Sequence, residues 1–188
     1  MIRKLLGIAL VFLFFACQKE TVKIAATQAL TSDSLSTGVA RPLNADTVPD
    51  MAFCKLEMMK DSSNYDQTVI MFDHLATVNY DQGLDAPYFK GWGAESFFSL
   101  SDDGMPLAIN RVPYKNGLVI RLGVESKADG LYVMKMIDKK GLPANLQIWL
   151  KDTFMKDSIN LLSAPYRFQV NKIDTSSYGQ SRFILCLR

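Results

Sequence analysis

Histidine is almost missing from this chain: His74 stands alone among 188 residues. One imidazole excludes a multi-histidine zinc centre, and a Ser-His-Asp mechanism would have to be assembled wholly around it. No Gly-x-Ser-x-Gly elbow or comparable nucleophile signature occurs. Three cysteines are too few for a disulfide framework, and no apolar run reaches the roughly 20 residues a helix needs to cross a bilayer. An excess of charge is lacking too. The formal net charge of +2 is that of Arg3 and Lys4, because residues 1–16 hold no acid, so the remainder is electrically balanced and carries no footprint for nucleic acid.

What is present begins with an address. Arg3 and Lys4 precede an apolar stretch from Leu5 to Phe15, followed by Ala16 and Cys17, which is the charged, apolar and small-residue order of an export signal. Phe14-Phe15-Ala16-Cys17 resembles the lipobox of bacterial lipoproteins, with Phe14 where Leu is commoner. The resemblance implies a signal peptide at 1–16, removal of that peptide, and a covalent lipid on Cys17. Several acyl chains on one cysteine turn marginal membrane binding into stable anchoring. Gln18-Lys19-Glu20 resembles the short charged signal that sends some Bacteroidota lipoproteins to the outer face of the outer membrane, and it reads equally as the solvated start of a linker. The expected location is therefore the cell envelope, lipid-anchored at the outer membrane and exposed at the surface.

Residues 17–50 are rich in Thr, Ser, Ala, Asp and Pro without a sustained apolar period, and are expected to form a disordered, flexible tether with an r.m.s. span of roughly 30 Å. From residue 51 onward the pattern changes. Short runs of β-branched and aromatic residues alternate with turn residues, and helical signals are scarce. This predicts one all-β domain over 51–188, an antiparallel β-sandwich of immunoglobulin-like or jelly-roll-like type. The expected strands are Phe53 to Met59, Thr68 to Phe72, Ser96 to Leu100, Leu107 to Val112 and Leu118 to Leu122. They continue with Gly130 to Ile137, Leu146 to Lys151, Ser158 to Leu162, Tyr166 to Val170 and Arg182 to Leu187.

Asp102-Asp103-Gly104, Lys115-Asn116-Gly117 and Ala128-Asp129-Gly130 each place Gly after Asp or Asn, as the positive φ of tight hairpins favours, and predict antiparallel neighbours. In the last strand Phe183, Leu185 and Leu187 alternate with Ile184 and Cys186, so both faces are apolar and both are expected to be covered.

The order of segments carries a further resemblance. Tyr65-Asp66-Gln67-Thr68-Val69-Ile70-Met71-Phe72, Asp81-Gln82-Gly83-Leu84-Asp85-Ala86, Phe97-Phe98-Ser99-Leu100-Ser101 and Pro106-Leu107-Ala108-Ile109-Asn110 come first. Val119-Ile120-Arg121-Leu122-Gly123-Val124, Gly130-Leu131-Tyr132, Ile148-Trp149-Leu150-Lys151-Asp152, Pro165-Tyr166-Arg167-Phe168 and Arg182-Phe183-Ile184-Leu185 follow. Together they resemble the β-sandwich module found next to the sorting domain of type IX secretion in Bacteroidota surface proteins. The resemblance implies a cell-surface sandwich and supplies no catalytic residue. No sorting domain follows Arg188, so the lipid on Cys17 is expected to replace that means of attachment.

Candidate site residues are few. Cys54 and Cys186 lie near the two ends of the folded region and are read either as a disulfide or as small buried hydrophobes. Asp81 and Asp85 sit in one loop, and Asp102 and Asp103 in another. They are read as weak Ca²⁺ ligands or, as Asp ordinarily serves in turns, as caps of their own backbone. Asp73 precedes His74, but neighbouring strand residues point apart, and His74 is read as a surface residue. Tyr88, Phe89, Trp92, Phe97 and Phe98 cluster around Gly91 and Gly93. Trp149, between Ile148 and Leu150, is expected in the core, whereas Trp92 between two glycines is the candidate for an exposed ligand contact, with Tyr88 and Phe89 beside it. These features point to a non-enzymatic binding or structural module with no cofactor, whose partner is an envelope protein or glycan. The competing classes are an envelope hydrolase without a recognisable motif and an accessory subunit of a secretion or gliding complex.

Overall fold

A computed structural model describes residues 52–188, which fold as one unit. Cys17, the export signal and the expected tether lie outside the described residues. Eleven strands follow one another: β1 (Ala52–Met59), β2 (Tyr65–Phe72), β3 (Ala86–Pro87), β4 (Glu95–Leu100), β5 (Pro106–Val112) and β6 (Val119–Ser126), then β7 (Gly130–Lys140), β8 (Ile148–Asp152), β9 (Asp157–Asn160), β10 (Tyr166–Val170) and β11 (Gly179–Leu187). The ten strands expected from sequence are all present, and β3, two residues long, is the addition. Alternation explains them. On β1 the core side takes Ala52, Cys54, Leu56 and Met58, on β10 Tyr166, Phe168 and Val170. Strand β4 is buried at every position, as a strand covered on both faces must be.

The strands form one sheet in the order β10-β7-β1-β2-β5-β4-β6-β11-β8-β9, with β3 added to β5. The expectation of a wholly antiparallel sheet is corrected here, because β2 and β5 run parallel, Val69 opposite Ile109 and Phe72 opposite Val112. Parallel neighbours need a long crossover, and the chain from Asp73 to Met105, carrying β3 and β4, supplies it. Two of the three expected hairpins are corrected as well. Asp102-Asp103-Gly104 does join the paired strands β4 and β5, with Gly104 at φ +90°. Gly117 (φ +79°) and Gly130 (φ +147°) also adopt positive φ, yet β4 separates β5 from β6, and β7 pairs with β1 and β10 rather than β6. Turn chemistry specifies a local reversal; the partner of the next strand is chosen by burial against distant segments.

One arm of the sheet (β10, β7, β1) and the other (β6, β11, β8) contribute to a single apolar core, so the sheet curls on itself and is nearly closed. Phe168 of β10 meets Phe183 of β11 at 4.7 Å between ring centroids, across the two arms. Each such fully buried ring stabilises the fold by about 1.5–3 kcal/mol. The terminal strand partly matches its expected two-sided burial: Phe183, Leu185 and Leu187 enter the core, Cys186 is buried on the opposite face, and Ile184 is half-covered.

The two arms are not joined by a backbone ladder where β10 passes β8 and β11, and a buried side-chain cluster joins them instead. Arg182 of β11 and Asp152 of β8 are both fully buried, with Nη2 2.7 Å from Oδ2 and Nε 3.0 Å from each carboxylate oxygen. Nη1 of Arg182 donates to the Gln169 carbonyl of β10 at 2.7 Å and to the Ser177 carbonyl. The Tyr166 hydroxyl, also on β10, donates to Asp152 at 3.0 Å. Phe154, Phe168 and Phe183 surround the guanidinium. Burial alone would raise the Asp152 carboxyl, but the bonds from Arg182 and the Met155 N–H, with the Arg182 charge, outweigh it and hold the group below the usual range. Tyr166 is pushed up, first by burial and then by the Asp152 charge.

Candidate functional site

The link between β3 and β4 runs from Tyr88 to Ala94 over the outer face of the sheet, and four strands brace it. The Tyr88 N–H donates to the Pro106 carbonyl of β5 at 2.9 Å. The Tyr88 ring lies on Phe98 of β4 at 4.9 Å between centroids, and its hydroxyl donates to Asp66 of β2 at 2.7 Å. The same Asp66 oxygen accepts the Phe97 N–H at 2.8 Å, so one carboxylate ties loop, β2 and β4 together. Burial pushes the Tyr88 phenol up to about 12, the Asp66 bond and charge adding to it, so Tyr88 remains a neutral donor at any physiological pH. Phe98 in turn lies over Gly123 of β6; a Cβ at that position would come within 2.1 Å of the ring. Glycine is needed there for close approach, not for conformation.

Farther along, Lys90 pairs with Glu125 of β6 at 2.7 Å, an exposed ion pair worth about 0–1 kcal/mol. The Lys127 N–H donates to the Ala94 carbonyl at 3.0 Å and closes the loop's far end. With Tyr88 and Lys90 facing the sheet, Phe89 and Trp92 face away. Phe89 is 83% exposed and Trp92 103%, the most exposed large apolar side chains among the described residues apart from Ile173. An indole and a phenyl ring left in water beside the braced Tyr88 form an exposed apolar contact surface.

Residues 47–186 match a family model described as Domain of unknown function (DUF8693). The chain belongs to the DUF8693 family. No curated protein and no solved structure matches it.

In this DUF8693 domain the expected site residues fare differently. Trp92 and Phe89 stand out as the sequence led one to expect, but Tyr88 is corrected from a ligand contact to a half-buried brace whose ring and hydroxyl are both occupied. Phe97 belongs to the core and Phe98 is buried beneath Tyr88. Trp149 is corrected in the other direction: Ile148 and Leu150 point inward, so Trp149 points out, half-covered, with its Nε1 donating to Gln147 at 2.8 Å.

Asp81 and Asp85 cap their own loop. Asp85 accepts the Asp81 N–H at 2.7 Å through one oxygen and the Arg111 N–H at 2.7 Å through the other, while Asp81 accepts the Thr77 hydroxyl at 3.1 Å. Oxygens aimed at backbone donors do not converge on a cation, and no group of three acidic, His or Cys side chains does so among the described residues. Asp103 accepts the Tyr80 N–H at 3.2 Å and the Ser101 hydroxyl, which chiefly lowers its carboxyl.

Asp73 and His74 lie just past the end of β2, where strand parity no longer separates them, and Nδ1 is 3.9 Å from Oδ1. Asp73 is held low first by the Leu75 N–H and also by Arg111 at 3.1 Å. Cys54 and Cys186 are free and buried, so of the two readings the disulfide is not made and both serve as small buried hydrophobes. Parity explains it: Cys54 is on the core face of β1, Cys186 on the face of β11 away from the core, and the two strands are not neighbours. Burial pushes the Cys54 thiol up to about 12, leaving it inert.

Sequence reasoning missed the Asp152–Tyr166–Arg182 cluster. Each of the three has polar neighbours in the chain, Lys151 and Thr153 beside Asp152, Arg167 beside Tyr166 and Ser181 beside Arg182, so no local pattern set them apart from surface residues.

Proposed function

We propose that this chain is a lipoprotein of the outer membrane, held through acylated Cys17, whose DUF8693 domain is a non-enzymatic module that binds a protein or glycan at the cell surface through Phe89 and Trp92. The observation that carries the reading is the pairing of two fully presented aromatic rings with a loop anchored at Asp66, Phe98, Pro106 and Glu125. Large aromatic side chains left in water at a fixed position are the anchors of binding hot spots. Planar rings also stack on sugar faces, and a binding loop carried on a rigid sheet is where such function is commonly placed. The domain is further read as a surface β-sandwich of the kind its segment order resembles; two sheet arms packed over one core favour that reading.

Two measurements test it. Protease shaving of intact cells should release the wild-type domain from outside, and Cys17→Ser should be lost from the membrane fraction. Screening of surface glycans and envelope proteins should find a ligand whose affinity falls about 30-fold or more in Trp92→Ala, the loss expected of a hot spot of at least ~2 kcal/mol. Protection of the domain until the outer membrane is broken, or a ligand indifferent to both Trp92→Ala and Phe89→Ala, would overturn the proposal.

A further inference from the structure

A second surface lies away from the aromatic loop, at the open part of the sheet's seam. Strand β7 pairs with β1 as far as Lys140, but with β10 only from Gly130 to Met134. Its other edge, from Lys135 to Lys140, has no strand beside it among the described residues. Next to that edge runs a groove made of two adjoining hollows of about 210 and 290 Å³ that share Lys139 and Leu162. Met136, Ile137 and Leu161 give it an apolar floor. Ile137 is the extra residue of a β-bulge, since Lys55 faces Asp138 while Leu56 faces Met136, and it is left partly exposed beside the groove.

The charges here are uneven. Glu57 is paired with Lys135 at 3.0 Å, and Asp138 stands opposite Lys55 on β1. Lys139 and Lys140, both exposed and both lining the groove, have no ion-pair partner among the described residues. Lysines on a free edge repel another copy of the same edge and any basic strand. They leave one class of occupant favoured.

We propose that the β7 edge accepts an extended acidic segment of a partner protein as an added strand, with an apolar side chain of that segment in the Ile137–Leu161–Leu162 groove and carboxylates against Lys139 and Lys140. Backbone pairing supplies affinity in such augmentation, while the pocket for alternate side chains and the flanking charge supply selectivity. The site is separate from Phe89 and Trp92, so its failure leaves the proposed function standing.

The test uses the full-length chain and a synthetic peptide of alternating Glu and Val, with a Lys-and-Val peptide as its opposite. Hydrogen exchange at residues 135–140 should slow about tenfold or more on adding the acidic peptide and not on adding the basic one. Lys139→Glu with Lys140→Glu, two exposed positions that leave the core intact, should weaken the acidic peptide about tenfold and admit the basic one; circular dichroism confirms the fold. The idea is overturned if exchange at 135–140 is unaffected by the acidic peptide or if the charge-reversed protein binds it as well as the wild type does. Slow exchange in the chain alone at those amides of 135–140 that point away from β1 also overturns it, because the edge is then already occupied from within.

Discussion

Replacing Arg182 by Met tests how the two arms of the sheet are held together. The substitution keeps much of the side-chain volume and removes the charge. Asp152 then loses three close contacts, at 3.0, 3.0 and 2.7 Å, and keeps the Tyr166 hydroxyl and the Phe154 and Met155 N–H groups. The Gln169 and Ser177 carbonyls lose their donor as well. Breaking a fully buried pair from one side leaves an uncompensated charge, at a cost of about 3–5 kcal/mol. For a domain of this size that corresponds to a fall in Tm of roughly 10–20 °C. Urea unfolding followed by far-UV circular dichroism at pH 7 measures it, through a lower midpoint at an unchanged slope.

The pH dependence gives an independent sign. In the wild type the Asp152 carboxyl is held below its unfolded value, so the pair's contribution is present above about pH 4 and is lost as pH falls through the folded value. In Arg182→Met, burial without the guanidinium favours the neutral acid, and protonation relieves the penalty. The stability gap between the two proteins must therefore narrow in acid. Adding Asp152→Leu to Arg182→Met should recover part of the loss, because an apolar pair of similar volume is often no worse than an ion pair. A loss below about 1 kcal/mol, or a gap equally wide at pH 7 and pH 4, would refute the reasoning.

Three other outcomes follow from the geometry. Gly123→Ala places a methyl group within 2.1 Å of the Phe98 ring and should cost about 1–3 kcal/mol in thermal unfolding while loosening Tyr88; an unchanged Tm would refute the packing. Thiol titration should find Cys54 and Cys186 unreactive in the native protein and both reactive in denaturant, whereas no free thiol after denaturation would mean that they are bridged. Chelation or addition of Ca²⁺ should leave Tm unchanged within about 1 °C, given that Asp81 and Asp85 are engaged by backbone and hydroxyl donors; a Ca²⁺-dependent rise would refute their role as caps.

The candidate site was legible only in part. Trp92 between two glycines signalled an exposed ring, and the structure presents it so, with Phe89 beside it. Tyr88 reads the same way in sequence, yet it turns inward because Asp66, on β2, offers its hydroxyl an acceptor and Phe98 offers its ring a platform. Asp66 lies on an earlier strand, and although Phe98 belongs to the same stretch of sequence, nothing local shows that β4 turns its ring under Tyr88. Distance along the chain hid the seam cluster, as Asp152, Tyr166 and Arg182 become a unit only when β8, β10 and β11 meet.

Sequence alone determined where the chain is extended and where it turns. Residue alternation and the Asn-Gly and Asp-Gly positions act over a few neighbours, so the ten principal strands and the positive φ at Gly104, Gly117 and Gly130 could be read directly. Tertiary structure decided which strands are partners: the parallel pairing of β2 with β5, the separation of β5 from β6 and of β6 from β7, and the opposed faces of Cys54 and Cys186. Those choices belong to the burial of one shared core by segments far apart in the chain. No local pattern encodes the distance between two such segments once folded.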